Sequence, residues 1–276
     1  MTWSAHLQLD YRRAAERCVV HDRHDGPLRV LASLYPESAQ VCHNVIVHPP
    51  GGIVGGDALR LDVNLSPNSH ALITTPGATR FYRSAGDSAS QAVTARLATG
   101  ARLEWLPQET LCHRGALAEN QLLFDLDPGA EMIGWDLLGL GLPASGEAFD
   151  AGQVRQSIKL ANVWREQGVI DGADRQLLDS PLGFAGHRVL GVLWFAAGAP
   201  QAAARRARLL DAAREACNAS ALRATSGCTS PHEQALLLRV LAPRIEPAMQ
   251  LLRSVWAAWR PLAWGLRACA PRVWHT

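Results

Sequence analysis

A strand–turn–strand pattern that recurs about every 30 residues constrains the fold of this chain more than any other feature. Each copy ends a run of alternating residues, turns through Pro, Gly or Asn, and continues through an alanine: LSPNSHA (65–71), LATGA (97–101) and LDPGA (126–130). The three alanines are 30 and 29 residues apart. Such self-similarity predicts stacked β layers that each bury the face of the next. A chain of hairpins in an ordinary sandwich is the alternative.

The runs beside these turns alternate between apolar and polar residues, as half-buried strands do. LRLDVNL (59–65) is the clearest case, because every second residue is Leu or Val and the others are Arg, Asp and Asn. QAVTARLA (91–98), ARLEWL (101–106) and LLFDLD (122–127) also alternate. We therefore predict that residues 1–200 are rich in β-strands.

The pattern changes after residue 200. QAAARRARLLDAAREACNAS (201–220) has no Gly or Pro and predicts a helix of about four turns. QALLLRVLA (234–242) is typical of a buried strand. A second helix is predicted to begin at Pro247 and to stop at Pro261. No linker rich in Ser, Gly or Pro divides the chain, so we expect one domain over 1–276, with two helices, a strand and a tail packed on them after residue 200.

The second predicted helix carries a stripe of apolar residues at helical spacing. Leu252, Val255, Trp256 and Trp259 lie on one face, and Arg253 lies off it. A tryptophan stripe of this kind is usually buried, which favours a role in the core. The alternative is a surface for a protein partner, formed by Arg253, Trp256 and Trp259.

Composition excludes several classes of function. The formal net charge is +2, which gives no indication of nucleic-acid binding. No uninterrupted apolar run is long enough to span a membrane, and no secretory signal is evident at the N-terminus. The six cysteines include no CxxC pair. We expect a cytoplasmic protein with reduced thiols.

The segment HPPGGIVGGD (48–57) has two glycines, Gly51 and Gly56, at the spacing of a phosphate-binding P-loop. A P-loop needs Lys and then Ser or Thr at the next two positions, whereas Asp57 and Ala58 stand there. An aspartate would repel the phosphates, so nucleotide binding is not expected. The four glycines of the segment are expected to shape the backbone into a tight turn before a strand: Gly51, Gly52, Gly55 and Gly56.

Residues that ligate metals are present but scattered. In the pairs Cys42-His43 and Cys112-His113, neighbouring residues on a strand would point to opposite faces, so a site of the zinc-finger kind is not expected. Carboxylates recur near the predicted strand ends, at Glu104, Glu109, Asp136, Glu147 and Asp150. They could serve acid–base chemistry in a cleft or simply satisfy turns and solvent. No GxSxG nucleophile motif is present.

Several motifs, taken together and in order, resemble the UreD family of urease accessory proteins, called UreH in some systems. They are LYPE (34–37), CHN (42–44), HPPGGIVGGD (48–57), TTPGATRFYRS (74–84), EWLPQET (104–110), GWDLLGLGLPASGEAF (134–149) and the closing RP…APRVWHT (260–276). The resemblance covers nearly the whole chain. The sequence departs from the family pattern at GLGL (138–141), where relatives commonly carry CLGR, at TSPHEQ (229–234), and at 149–170, which has fewer arginines.

The resemblance implies a mainly β fold, an irregular helical stack of strand layers similar to a β-solenoid, with a small C-terminal α-helical part. It also implies a non-enzymatic scaffold that docks UreF, and UreG through UreF, onto apo-urease and helps to deliver nickel to the urease active site. No tightly bound cofactor is implied, only transient nickel. A pure interaction scaffold, which bridges UreF and urease without conducting nickel, is the alternative.

A nickel route needs oxygen or nitrogen ligands at intervals, each weak enough to release the ion. The candidate residues for such a route are His48, Asp57, Glu104, Glu109, Asp136 and Glu147. Which of these side chains face the interior depends on the fold.

Overall fold

Two β-sheets, which the chain visits in turn, make up most of the protein. The computed structural model describes residues 2–142 and 145–275, so two residues of the GWDLLGLGLPASGEAF motif lie outside it. Its strands are β1 (Ser4–Ala14), β2 (Arg17–Asp25), β3 (Arg29–Leu34), β4 (Cys42–Val47), β5 (Ala58–Leu65), β6 (His70–Thr74), β7 (Thr79–Phe81), β8 (Ala89–Leu97), β9 (Arg102–Trp105), β10 (Thr110–Cys112), β11 (Leu117–Leu126), β12 (Glu131–Leu140), β13 (Gln153–Leu160), β14 (Trp164–Asp171), β15 (Val189–Ala197), β16 (Ser226–His232) and β17 (Ala235–Ala242). Its helices are α1 (Arg175–Asp179), α2 (Ala203–Ala219) and α3 (Ile245–Trp264), and a 3-10 turn follows at Arg272–His275.

The order of strands confirms the prediction of stacked layers. The first sheet runs β14-β13-β11-β8-β5-β1-β2, and the second runs β16-β17-β15-β12-β9-β6-β4-β3 with β7 and β10 beside it. Strands β5, β8, β11 and β13 are parallel neighbours, as are β6, β9 and β12. The chain crosses from the first sheet to the second between β5 and β6, between β8 and β9, and between β11 and β12. Each crossing begins one layer of a coil, and antiparallel pairs flank the coil.

The recurring turns of the sequence lie directly above one another. The N–H of Ala98 donates to the carbonyl of Leu65 (2.9 Å), and the N–H of Asp127 donates to that of Leu97 (2.9 Å). The residues at the turn tips all have positive φ: Asn68 (59°), Gly100 (73°) and Gly129 (87°). Since Gly and Asn tolerate this region best, the turn residues explain the 30-residue repeat.

The space between the sheets is filled by side chains in register. One column crosses five parallel strands and consists of Leu7, Leu61, Val93, Leu122 and Ile158. All five are buried. Because side chains alternate along a strand, each inward residue stacks on an inward residue of the next layer. The sequence alternation predicted above therefore becomes the inner core.

A second core lies on the other face of the second sheet. Helices α2 and α3 pack there against β12, β15 and β17. Trp256 and Trp259 are 2% and 0% exposed, and the indole N–H of Trp259 donates to the carbonyl of Leu209 (2.8 Å). Both tryptophans lie in the core, as the core interpretation predicted, and the partner-surface alternative stays a prediction. Arg253 lies nearer solvent and is half-buried.

The predicted ends of the second helix were wrong. Helix α3 begins at Ile245, two residues before Pro247, and passes through Pro261 to Trp264. Pro261 lies in the last turn, where its missing N–H forgoes a single intrahelical bond. Gly265 then ends the helix in the left-handed region, and its N–H donates to the carbonyl of Pro261 (3.0 Å).

The region after residue 200 also contains one strand more than predicted. Strand β16 (SGCTSPH) pairs with β17 at the edge of the second sheet, where Pro231 is tolerated. Helix α2 lies where the sequence predicted it. Among the described residues, no helix combines the length and the apolar character needed to cross a membrane.

A buried charged network fastens α3 to the second sheet. Glu104 of β9 is fully buried and accepts hydrogen bonds from His70 Nε2 (2.9 Å), Trp256 Nε1 (2.6 Å) and Arg260 Nη2 (3.0 Å). Arg260 also donates to both oxygens of Glu37, at 2.8 and 2.9 Å. Burial raises the pKa of Glu104, but His70 and Arg260 outweigh it, so the pKa is lowered and the carboxylate stays charged.

Replacement of Glu104 by Ala is expected to destabilise the protein by about 3–5 kcal/mol, because it leaves a buried guanidinium with an incomplete set of acceptors. Urea unfolding followed by circular dichroism measures the loss. Glu109→Ala, at a half-buried carboxylate a few residues away, is the control and should change stability by no more than about 0.5 kcal/mol. Equal losses in the two variants would contradict a central role for the network.

Candidate functional site

A cavity of about 410 Å³ lies between the two sheets, beneath the HPPGGIVGGD loop and the loop at 75–80. We call it the inner cavity. Much of its wall is apolar and comes from the inner core, including Leu61, Val93, Trp105 and Leu122. Two of the six nickel-route candidates line it, His48 and Asp136, and so do Gly51 and Gly52 of the signature loop.

Hydrogen bonds within the HPPGGIVGGD loop and to neighbouring segments hold it in shape. The N–H of Gly51 donates to the carbonyl of His48 (2.9 Å), which closes the first turn. The carboxylate of Asp57 accepts from the N–H groups of Val54 (3.0 Å) and Trp3 (2.7 Å). Asp57 is 2% exposed and does not line the cavity. Its carboxylate ties the loop to Trp3, directly before β1, and its place on a nickel route stays a prediction.

One glycine of the loop permits a close approach of the backbone to a side chain. A β-carbon on Gly52 would lie 2.0 Å from Cε2 of Tyr82, well inside the contact distance. Gly52 therefore allows the ring of Tyr82, on the segment after β7, to pack against the loop. The loop leads directly into β5, as the sequence predicted.

Asp136 is the only acidic residue that the described chain contributes to the cavity wall. It is 5% exposed, and Asn120 Nδ2 donates to its Oδ1 (3.1 Å) while Gln156 Nε2 donates to its Oδ2. Burial raises the pKa of Asp136 to about 6, and the two amide donors only partly oppose the shift. Asp136 is consequently ionised at neutral pH and becomes neutral a little below it.

The amides around Asp136 form a polar column within the apolar interior. Gln91, Asn120 and Gln156 are in register on β8, β11 and β13. Gln91 Nε2 also donates to Asn120 Oδ1 (3.3 Å). The sequence interpretation missed this column, although the alternation contains it: each amide lies two residues before an inward apolar residue, Val93, Leu122 or Ile158.

His48 supplies a nitrogen on the cavity wall. Its Nε2 is buried and has no hydrogen-bond partner within residues 2–142 and 145–275. Burial lowers the pKa of His48, and the opposing influence of Asp57 is smaller. The imidazole is therefore neutral near pH 7, which is the form that binds metal ions.

The remaining predicted site residues lie elsewhere, so the structure does not bring the six together. Glu104 is committed to the charged network under α3. Glu109 lies on a groove beside α3. Glu147 lies 3.2 Å from His113 Nδ1 and accepts from the N–H of Arg114 (2.9 Å). None of these three lines the inner cavity, because strand alternation gives the face of a residue and not which cavity that face meets. Their place on a nickel route stays a prediction.

A preformed metal cage is not found in the described part of the chain, where no three His, Cys, Asp or Glu side chains come together to hold an ion. Among its described lining residues, the inner cavity offers one imidazole, one carboxylate and the side-chain amide of Gln91 instead. Such a set can contact a divalent cation weakly and release it.

Comparison with known proteins gives the family. Residues 4–275 match the family model described as UreD urease accessory protein. The urease accessory protein UreD of Variovorax paradoxus is 57% identical over 276 residues, which covers 100% of both chains. The UreD proteins of Leptothrix cholodnii and Paracidovorax citrulli are each 56% identical, over 100% and 99% of both chains. The chain belongs to the UreD family of urease accessory proteins.

Proposed function

We propose that this chain helps to deliver nickel to apo-urease, and that it docks UreF, and UreG through UreF, onto that enzyme. Membership in the UreD family supports a role in urease maturation. The observation that carries the finer proposal is the inner cavity, where a neutral imidazole and a single buried carboxylate line a space large enough for a hydrated ion.

Weak, separated ligands suit a protein that passes nickel on. A carboxylate and an imidazole favour a divalent cation by charge and by lone pair, whereas a closed Cys and His cage would retain it. Asp136 carries one negative charge near pH 7, and the amides of Asn120 and Gln156 hold that charge in place. Nickel would enter as cargo, contact His48 and Asp136 in passing, and leave toward the partner.

We infer that the chain breaks no bonds itself. Its family is named for an accessory role, and the proposed work consists of binding and release. A cytoplasmic location also remains our proposal. It is supported by the six cysteines, all of which are free thiols in the structure.

The alternative function, a pure interaction scaffold, is favoured by a separate feature. A groove of about 650 Å³ runs along α3 and is lined by Glu109, Met249, Arg253 and Trp274. Arg253 stacks over the Trp274 ring at 4.7 Å, and its Nε is buried without a hydrogen-bond partner in the described chain. We propose this groove, whose wall also includes Trp256, as the UreF surface.

Replacement of Asp136 by Asn is expected to lower urease activation severalfold, because the cavity wall loses the one carboxylate that the described residues give it while the amide keeps the shape of the side chain. The assay measures urease activity after incubation of apo-urease with nickel, bicarbonate, GTP, UreG, UreF and this chain. Asp125→Asn, at an exposed aspartate on β11, is the matched control and should activate normally.

Co-purification decides how a loss of activation is understood. The nickel-route proposal expects Asp136→Asn to retain UreF and apo-urease as the wild type does. Full activation by Asp136→Asn would favour the pure scaffold. Loss of both partners in parallel with activity would make Asp136 a structural residue.

Asp136 should also make stability depend on pH. Its folded-state pKa of about 6 exceeds the ~3.9 of an unfolded aspartate, so proton binding favours the folded protein. This stabilisation is complete below pH ~4 and is lost as the pH rises through 6. Between pH ~4.5 and ~8, the wild type should lose about 2 kcal/mol of unfolding free energy relative to Asp136→Asn. Urea titrations of both proteins at the two pH values measure the difference, and parallel pH profiles would contradict it.

Replacement of Arg253 by Ala is expected to weaken co-purification with UreF, since it removes the guanidinium that borders the α3 groove. Arg208→Ala is the matched control, because Arg208 is an exposed arginine on α2 with no side-chain partner in the described residues. Both variants should keep the circular dichroism spectrum of the wild type. Equal retention of UreF by the two variants would exclude the groove as its docking surface.

A further inference from the structure

A second cavity, of about 220 Å³, lies over the stacked turns at one end of the coil. We call it the arginine pocket. Its polar wall comes from four separate parts of the chain and includes Arg13, Ser38, Gln40, Asn68, His70 and Arg102. A single buried water needs roughly 10–15 Å³ of such volume, so the pocket has room for a larger polar group together with water.

The arginine pocket is lined by positive charges and, among the described residues, by no negative charge. Two guanidinium groups line it, and none of its lining residues in the described chain is Asp or Glu. Hydroxyl and amide side chains, from Ser38, Gln40 and Asn68, add hydrogen-bond donors. A cavity that combines two fixed cations with neutral donors is complementary to an anion with several oxygens.

The guanidinium group of Arg102 is unpaired among the described residues. Its guanidinium makes no hydrogen bond and no ion pair within residues 2–142 and 145–275, although it is half-buried. It lies over the ring of Trp264, whose centroid is 5.6 Å from Cζ. Burying part of a cation without a hydrogen-bonded counter-charge costs free energy, which a bound anion would offset.

The acidic residues that act on Arg102 through space are already engaged by other groups. Glu131 is bound by Arg205 (3.0 Å) and by Trp264 Nε1 (2.7 Å). Glu104 is bound by His70, Trp256 and Arg260 in the charged network under α3. Neither lines the pocket, so the charge of Arg102 remains available to a ligand.

Arg13 lines the same pocket and has a hydrogen-bond donor that is not used within the described chain. Its Nε donates to the carbonyl of Ala15 (2.7 Å), and its Nη2 donates to Glu16 (3.1 Å), whose side chain is 87% exposed. An ion pair this exposed contributes little, and Nη1 of Arg13 makes no hydrogen bond in the described chain. The guanidinium group of Arg13 can therefore donate a hydrogen bond to an anion that is bound beside Arg102.

We propose that the arginine pocket binds an oxyanion of the phosphate or carboxylate class through Arg13 and Arg102. The same chemistry has two sources, a free small anion or the acidic side chain of a protein partner. This site lies apart from the inner cavity and does not depend on the nickel route.

Titration of the full-length chain tests the proposal with two probes at constant ionic strength. The probes are inorganic phosphate, followed by ³¹P line width, and a short capped peptide with one glutamate, followed by calorimetry. Wild-type protein should bind at least one probe saturably. Arg102→Gln should weaken that binding about tenfold or more, as expected for the loss of a charged hydrogen-bond donor. Arg208→Gln removes the same charge from an exposed site and should bind as the wild type does.

The two probes separate the sources. Stronger binding of phosphate assigns the pocket to a free anion, and stronger binding of the peptide assigns it to an acidic side chain. The proposal is overturned if neither probe saturates, or if Arg102→Gln and Arg208→Gln weaken binding equally. Thermal melts without ligand show whether Arg102→Gln is folded, and Arg102→Lys, which keeps the charge, should recover part of the binding.

Discussion

In-register stacking of parallel strands is the constraint on which the rest of this structure depends. Because the chain returns to the same sheet after each layer, the side chain at an inward position stacks on the side chain at the equivalent position of the neighbouring layer. Apolar residues repeated in this way fill the core. Amides repeated in the same way, at Gln91, Asn120 and Gln156, form a polar column that faces Asp136. The inner cavity and its buried charge therefore follow from the same rule that produces the core.

The carboxylates of this chain differ in role because they differ in partners. Glu104 is surrounded by Arg260, His70 and Trp256, which satisfy it and hold it charged, so it serves to fix α3 on the sheet. Asp136 has only neutral amide donors, and burial raises its pKa to about 6. A carboxylate that is paired with an arginine attracts a second cation only weakly. A carboxylate that is hydrogen-bonded to neutral amides keeps its negative charge available to a cation. The contrast singles out Asp136 among the acidic residues.

The sequence allowed the layers, the turns and α2 to be predicted, because each depends on neighbours along the chain. The alternation of apolar and polar residues predicted which side chains of β5, β8 and β11 share a face, and the turn residues predicted the repeat of about 30 residues. The end of α3 could not be predicted from Pro261, since a proline in a last turn loses only one hydrogen bond. Three of the candidate residues are buried, Asp57, Glu104 and Asp136, yet they have different roles. Those roles depend on Trp3, Arg260 and Gln156, which are distant in sequence, so local patterns could not separate them.

The two cavities differ in their ionisable side chains, because among the described lining residues only the inner cavity contains a carboxylate. The inner cavity is bordered by the inward faces of the strands, and Asp136 is the one carboxylate among its described lining residues, which also include Arg80. The arginine pocket lies over the turns, where Arg13 and Arg102 meet polar turn residues and solvent. The buried network of Glu37, Glu104 and Arg260 keeps its own charges paired on the helical side of the second sheet. A cation in the interior and an anion at the turns would then bind without competing for the same groups.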